Sequence, residues 1–320
     1  MKWGGLFPGQ GSQYVGMGKF LYEEFSFVKE VFEEACDTLH FNLKKLCFEG
    51  PESDLALTYN TQPAILTTSV AYAKVLENTM GFLPHMSAGH SVGEYGAIVF
   101  AKALSLSEAL LAVRRRGEAM QEAVPVGTGG MMAVMGLTED QVKQLCQLGV
   151  EKSGYGPLEP ANFNSPEQIV ISGHIKALEW VKDHVKAEDF SVKKMRLIPL
   201  KVSAPFHCSM MKPATQVMAQ FLPSLNFESP RFPVIQNAVN APVTHKEDLV
   251  QNLIQQIEAP VHWVKTMDVL QEQGCQRFVE VGSGKVLSGL GKKMGVKVIN
   301  IQDLEGLKQF EKEWSGGSSC

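Results

Sequence analysis

Gly89-His90-Ser91-Val92-Gly93 sets one serine between two glycines, and what flanks it decides how the chain folds. Upstream, Leu83-Pro84-His85-Met86-Ser87-Ala88 can form a short buried strand; downstream, Glu94-Tyr95-Gly96-Ala97-Ile98-Val99-Phe100-Ala101 can form a helix. Strand, serine turn and helix together are the setting of a nucleophile elbow. Its turn is so tight that the flanking residues must be small, and the serine Oγ stands clear of the backbone. The pentapeptide alone is a weak signal, because an ordinary turn in a chain rich in Gly and Ser carries the same letters. The strand and helix around it favour a nucleophilic serine.

The 320 residues allow two domains or one large domain with an insertion, and a hydrophobic content of 44% suffices for a sizeable core. The N-terminal residues contain no apolar run of secretory-signal length, and no later stretch stays apolar over the ~20 residues that a membrane helix needs. The expectation is a soluble, cytoplasmic protein with no membrane association. Cys36, Cys47, Cys146, Cys208, Cys275 and Cys320 are widely spaced with no Cys-x-x-Cys, which suggests buried free thiols rather than a zinc site or a disulfide framework. A formal net charge of −4 argues against nucleic acid as a partner.

Residues 5–7 read as a first strand that stops at Pro8-Gly9-Gln10-Gly11-Ser12, and 17–39 has the apolar spacing of one helix. A further helix runs from Thr61-Gln62-Pro63 to about Glu77, with Pro63 near its first turn, where a missing N–H costs little. Ser105-Leu106-Ser107-Glu108 resembles a capping box opening a helix that ends near Val124-Pro125. These elements alternate as in an α/β layer structure. After the glycine-rich 127–130 the rhythm changes: strand 131–135, helix 139–148, strands 160–163 and 168–172, helix 174–186 and strand 195–200. That β-α-β-β-α-β order matches a ferredoxin-like unit. Alternation then resumes, with strands at 232–236 and 278–281 and a helix at 248–257. The predicted fold is a large α/β-hydrolase-like domain (1–126 and 201–313) with an inserted ferredoxin-like small domain (127–200). Residues 314–320 read as a mobile, Gly/Ser-rich tail.

A serine hydroxyl attacks only when a base takes its proton, so the eight histidines matter next. His90 adjoins Ser91, but neighbouring side chains at an elbow diverge, which suits packing or support of the turn. His207, in the loop Val202-Ser203-Ala204-Pro205-Phe206-His207-Cys208, lies after a strand and C-terminal to the serine, the chain order of elbow enzymes. No acid between them stands out as a third member, leaving a backbone carbonyl or an amide to orient the imidazole. Of Arg114-Arg115-Arg116, only Arg116 shares the stripe of Ala109, Val113 and Met120, so it points inward. A guanidinium there needs an anion: a buried carboxylate of the chain, or the carboxylate of a substrate held in its fork. The backbone amide of Gln10 could join that of Val92 in holding an oxyanion. Gly282-Ser283-Gly284-Lys285-Val286 lacks the upstream glycine and the Ser or Thr after lysine that a phosphate-binding Walker loop requires.

Taken with Phe7-Pro8-Gly9-Gln10-Gly11-Ser12-Gln13, Thr61-Gln62-Pro63-Ala64, Arg116-Gly117, Asn162-Phe163-Asn164-Ser165-Pro166 and Glu280-Val281-Gly282-Ser283-Gly284-Lys285-Val286-Leu287, the chain resembles the malonyl-CoA:acyl carrier protein transacylases over nearly its whole length. The resemblance implies Ser91 as nucleophile, His207 as base, Arg116 as ligand of the malonyl carboxylate, and the amides of Gln10 and Val92 as oxyanion hole. It places Gln256 where the family has a glutamine whose main-chain carbonyl receives the histidine proton, and it adds Gln62 and Asn162 as substrate-binding candidates. It implies malonyl-CoA and acyl carrier protein as partners, no cofactor, and a monomer. Phe206 is similar to the malonyl-selective loop of polyketide acyltransferases, which keeps a polyketide pathway as the alternative to fatty-acid synthesis. A serine thioesterase is the more distant alternative. Lys285, Lys292 and Lys293 form a candidate basic patch for an acidic carrier.

Overall fold

The computed structural model of this chain describes residues 2–316, which fold as a mixed α/β structure around two sheets. The larger sheet has the order β10-β9-β1-β2-β7-β8, formed by β1 (Trp3–Phe7), β2 (Met86–Gly89), β7 (Val234–Gln236), β8 (Ala241–Val243), β9 (Arg277–Glu280) and β10 (Val298–Asn300). Its strands are parallel except for β8, which runs antiparallel to β7 on the edge. Helices cover both faces, so β1 and β2 are buried at every position and read as apolar runs without alternation. Leu6, Ala88, Ile235 and Phe278 pack into one apolar cluster with Trp263, while Phe7, Val234 and Val279 face the main core on the other side.

The smaller sheet is antiparallel, in the order β4-β5-β3-β6, from β3 (Gly129–Met135), β4 (Leu158–Ser165), β5 (Gln168–His174) and β6 (Arg196–Pro199). The helices Glu139–Ser153 and Ile175–His184 connect its strands, and an apolar cluster of its own includes Val134, Leu145, Ile171 and Val181. The sheets are tied together where Val261 bridges to β4: Phe163 N donates to Val261 O and Val261 N donates to Ala161 O, both at 2.8 Å.

Several expectations need correcting. The helix expected over 17–39 is two, Lys19–Glu24 and Ser26–Leu39, broken at Phe25, which is extended (φ −121°). Both pieces bury apolar residues toward the same core, so their spacing could not show the break. The helix carrying Pro63 is Thr58–Met80, which puts the proline beyond the first turn. The carbonyl of Tyr59, four residues back, loses its usual N–H donor and instead accepts from Arg114 Nη1 at 3.2 Å. Ser105 caps the helix Leu106–Glu122 by accepting from Glu108 N, but Glu108 returns its carboxylate to the Ser105 hydroxyl and to Asn226 rather than closing a capping box. The strand expected from Leu83 begins only at Met86. Finally, 314–316 do not form a tail: they end the helix Leu304–Gly316, where Trp314 Nε1 donates to Met80 O and the indole packs edge-on against Trp3. Residues 317–320, with Cys320, lie outside the described residues.

Candidate active site

The turn between β2 and the helix Gly93–Phe100 carries Ser91 at φ +53°, in the left-handed region where a serine is strained. Both glycines are obligatory. A Cβ on Gly89 would overlap the Gly93 carbonyl carbon and the Glu94 amide, and one on Gly93 would overlap the Phe7 carbonyl of the neighbouring strand. Asn237, just after β7, clasps the turn from below: its Oδ1 accepts from Ser91 N and its Nδ2 donates to Gly89 O, each at 2.8 Å.

His207 reaches the serine from the loop before Cys208, its own backbone left-handed at φ +59°. Ser91 Oγ donates to His207 Nε2 at 2.7 Å, while Nδ1–H donates to the carbonyls of Gln256 and Ala259, each at 3.0 Å. Two carbonyl acceptors at Nδ1 fix the tautomer that leaves Nε2 free as a base, and among the described residues no carboxylate completes a triad. Ala259 precedes the bridge to β4, so the small sheet helps place a carbonyl that orients the base. Burial, then the Arg116 cation and His90, push the His207 imidazole down to about 3. At neutral pH it is therefore uncharged and able to accept a proton.

Arg116 lies on the buried stripe of the helix Leu106–Glu122 and is 1% exposed. The helix approaches Thr58–Met80 so closely that a Cβ on Gly117 would come within 2.6 Å of Tyr59 Cα, and this proximity carries the guanidinium inward. Arg116 Nη1 donates to Gln62 Oε1 (2.9 Å), and Nη2 donates to Ser91 Oγ (3.1 Å) and Gln256 Oε1 (2.9 Å). Its Nε is buried without an acceptor, and among the described residues no carboxylate lies within ion-pair distance. Burial draws its pKa downward, against the opposing influence of Tyr95 and Glu94. Its neighbours differ: Arg114 and Arg115 pair with Glu118.

These groups meet in a cavity of about 100 Å³. Ser91, His207, Arg116, Gln10, Val92, Gln62 and Asn162 all line it, together with apolar Met120, Met131 and Phe206. Gln256 stands behind, joined to the site through both its side chain and its carbonyl. The amides of Gln10 and Val92 make no backbone hydrogen bond among the described residues. His90 turns aside, as an elbow neighbour must, and its Nε2–H donates to Asn164 Oδ1 at 2.8 Å. The glycine-rich loop after β9 has a structural occupation of its own. Glu280 accepts from the amides of Leu287 and Ser288 at the start of the helix Val286–Lys293, filling the terminus that a phosphate would need.

Two residues escaped the sequence reading, Asn237 and Glu94. Asn237 had no local signal. Glu94 had one: a lone carboxylate opening a helix that is otherwise apolar, and it is fully buried. Burial raises its carboxyl to about 7, although Asn237 N, Gln256 and Gln236 all donate to it and Arg116 also favours the charged form.

A family model of the acyl transferase domain matches residues 6–308. The malonyl CoA-acyl carrier protein transacylase of Bacillus subtilis (strain 168) is 43% identical over 302 residues, 94% of this chain and 93% of the relative. The crystal structure of the acyl-carrier-protein-S-malonyltransferase from Bartonella henselae superposes with a TM-score of 0.91 at 38% identity, covering 98% of this chain and 100% of that one. A type II PKS acyl-carrier protein in complex with its malonyl-transacylase gives a TM-score of 0.92 at 37% identity, covering 98% and 100%. With a serine on a strained elbow, a neutral histidine against it and a buried arginine beside both, the chain belongs to the acyl transferase family, among the malonyl CoA-acyl carrier protein transacylases.

Proposed function

We propose that this protein moves the malonyl group from malonyl-CoA to the phosphopantetheine thiol of an acyl carrier protein through a malonyl ester on Ser91. The observation that carries the reading is Arg116: a buried guanidinium in the serine's own cavity, with a donor to spare and, among the described residues, no carboxylate within ion-pair distance. A cation so placed suits a substrate that brings its own carboxylate. In the first half-reaction His207 Nε2 takes the Ser91 proton as Oγ attacks the thioester carbonyl, and the amides of Gln10 and Val92 hold the oxyanion. The imidazolium that forms is stabilised at Nδ1 by the Gln256 and Ala259 carbonyls. His207 then returns the proton to the CoA sulfur as the thioester breaks, leaving the ester. The carrier thiol repeats these steps in reverse, with His207 again the base.

Gln62 Oε1 holds Nη1 and so turns the rest of the fork toward the cavity, which Asn162 also lines. The chemistry uses side chains and backbone amides and calls for no cofactor. The Phe206 ring against the cavity and the type II PKS relative support a polyketide pathway as the second reading. At fold level, the β-α-β-β-α-β succession and the order β4-β5-β3-β6 support a ferredoxin-like unit over 127–200 within a larger hydrolase-like domain of 1–126 and 201–313. We keep the monomer as part of this reading.

Incubation with malonyl-CoA alone tests it. The expected product is a stable adduct on Ser91, seen by mass and absent in Ser91→Ala, that disappears when carrier protein is added. Release of malonate at an undiminished rate without a thiol acceptor would instead make the protein a hydrolase.

A further inference from the structure

Glu94 touches no substrate position, yet it is joined to the nucleophile, the base and the arginine. Its Oε2 accepts from Asn237 N (2.9 Å) and Gln256 Nε2 (2.8 Å), and its Oε1 accepts from Gln236 Nε2 (2.8 Å). Among the described residues it has no ion-pair partner, so three N–H donors alone satisfy a buried carboxylate at the first turn of a helix.

Gln256 is the joint of this arrangement. A glutamine amide has a donating end and an accepting end of nearly the same shape, and its environment chooses which points where. Here Nε2 donates to Glu94 Oε2 and, at 3.1 Å, to Ser91 O, so Oε1 faces Arg116 Nη2. Turned the other way, the amide would set oxygen against a carboxylate and N–H against a guanidinium, a repulsive contact at each end. The Glu94 contact is the shorter of the two, and both acceptors call for the donating end of the amide on this side, which settles the choice.

We infer that Glu94 is a positioning residue for malonyl selectivity: it fixes the Gln256 amide, which in turn holds the Arg116 fork toward the substrate carboxylate. The inference rests on Arg116 as the malonyl clamp and deepens that reading. It assigns the discrimination between a malonyl and an acetyl group partly to a buried acid on the far side of Gln256 from the cavity.

The test is the ratio of kcat/KM for malonyl-CoA to that for acetyl-CoA, measured for acyl-enzyme formation in variants whose folding is checked by thermal melting. Glu94→Met removes the acceptor, whereas Glu94→Gln can place its amide oxygen at the Oε2 position and keep the Asn237 and Gln256 donors. Glu94→Met should lower the ratio by about tenfold or more, and Glu94→Gln by less than about threefold. In an Arg116→Ala background, Glu94→Met should change the ratio by less than about twofold, because the group it positions is gone. An equal loss for both acyl groups in folded Glu94→Met would show a structural role only and overturn the inference. If Glu94→Met does not fold, Gln256→Met decides. It leaves Glu94 and the main-chain carbonyl to His207 in place, so a lowered ratio supports the inference and an unchanged one ends it. An unchanged ratio in Arg116→Ala itself would fail the clamp reading; a lowered ratio there with none in folded Glu94→Met would fail this inference alone.

Discussion

Arg116 and His207 are coupled through a single hydroxyl. Arg116 Nη2 donates to the same Ser91 Oγ that donates to His207, and its charge is one cause of the lowered histidine basicity. A malonyl carboxylate in the fork would neutralise that charge, so an acidic substrate held there would strengthen the base as it binds. If Arg116 clamps the malonyl carboxylate as proposed, Arg116→Ala should remove a charge-assisted contact worth about 2–4 kcal/mol and lower malonyl loading by about 30- to 1000-fold. It also removes a cation that opposes protonation of His207, so acetyl loading should hold or rise. Measuring kcat/KM for both thioesters checks this, and a parallel loss would make Arg116 structural. His207→Ala should slow transfer by at least ~100-fold. The pH profile supplies an independent reading of His207. With its folded pKa near 3 and an ordinary value of 6.5, the imidazole stays neutral in the native protein while the unfolded chain takes up a proton. Its share of stability is therefore complete above about 6.5 and is lost as pH falls toward 3. Labelling of Ser91 by a small fluorophosphonate should accordingly show no fall centred at 6.5 between pH 7.5 and 5. A midpoint there that persists in Glu94→Gln, which removes the buried carboxyl placed at about 7, would mean that His207 titrates like an exposed histidine.

At the scale of the elements, the site depends on close backbone approach. The helix after the elbow passes against the end of β1, where a Cβ on Gly93 would overlap the Phe7 carbonyl, and backbone cannot yield as a flexible side chain can. Gly93→Ala should therefore abolish the folded state or lower the melting temperature sharply, with loss of Ser91 labelling. Gly289, within the helix Val286–Lys293, has nothing within 4 Å of its Cβ position, so Gly289→Ala should stabilise the protein by about 0.5–1 kcal/mol in denaturant titration. The glycines flanking Ser91 were legible in the sequence because an elbow requires them by pattern, and the inward face of Arg116 because helical periodicity reveals it. The position of the Pro63 helix start was not, since it depends on Arg114 from another helix supplying the missing donor. Nor was the clasp by Asn237, which lies 146 residues from Ser91 and meets it only through the pairing of β2 with β7. The three-residue strands β8 and β10 were also invisible, being too short to show a period.

Over the whole molecule, a carrier protein that is acidic must find positive charge on a chain whose formal net charge is −4. The patch expected at Lys285, Lys292 and Lys293 is divided by its helix. Lys285 stands at the N-terminal end, next to Gly284, whose Cβ position lies 3.2 Å from Ser12 Cα in the loop carrying Gln10, while Lys292 and Lys293 end the same helix about 10 Å away. Exposed positive charge also gathers on the edge strand β6 and its flanks: Lys193, Lys194, Arg196 and Lys201 occur within 193–201, a stretch without an acidic residue. None of the four forms an ion pair among the described residues. This segment leads straight to the cavity, since Leu200 and Val202 line it. A partner seated on β6 would have a direct path for a thiol arm to Ser91. Reversing Lys194 and Arg196 to glutamate should raise the apparent KM for carrier protein by about tenfold at low ionic strength, less at high salt, and leave malonyl loading from CoA unchanged. Reversing Lys292 and Lys293 should change either half-reaction by less than about twofold, because they stand about 10 Å along the helix from the end that meets the Gln10 loop. Steady-state kinetics of the two half-reactions, with carrier varied at two salt concentrations, separates the patches. A larger effect from Lys292 and Lys293 would put the carrier on the helix Val286–Lys293 instead, and equal damage to loading and unloading by the β6 pair would mean that those residues support the fold.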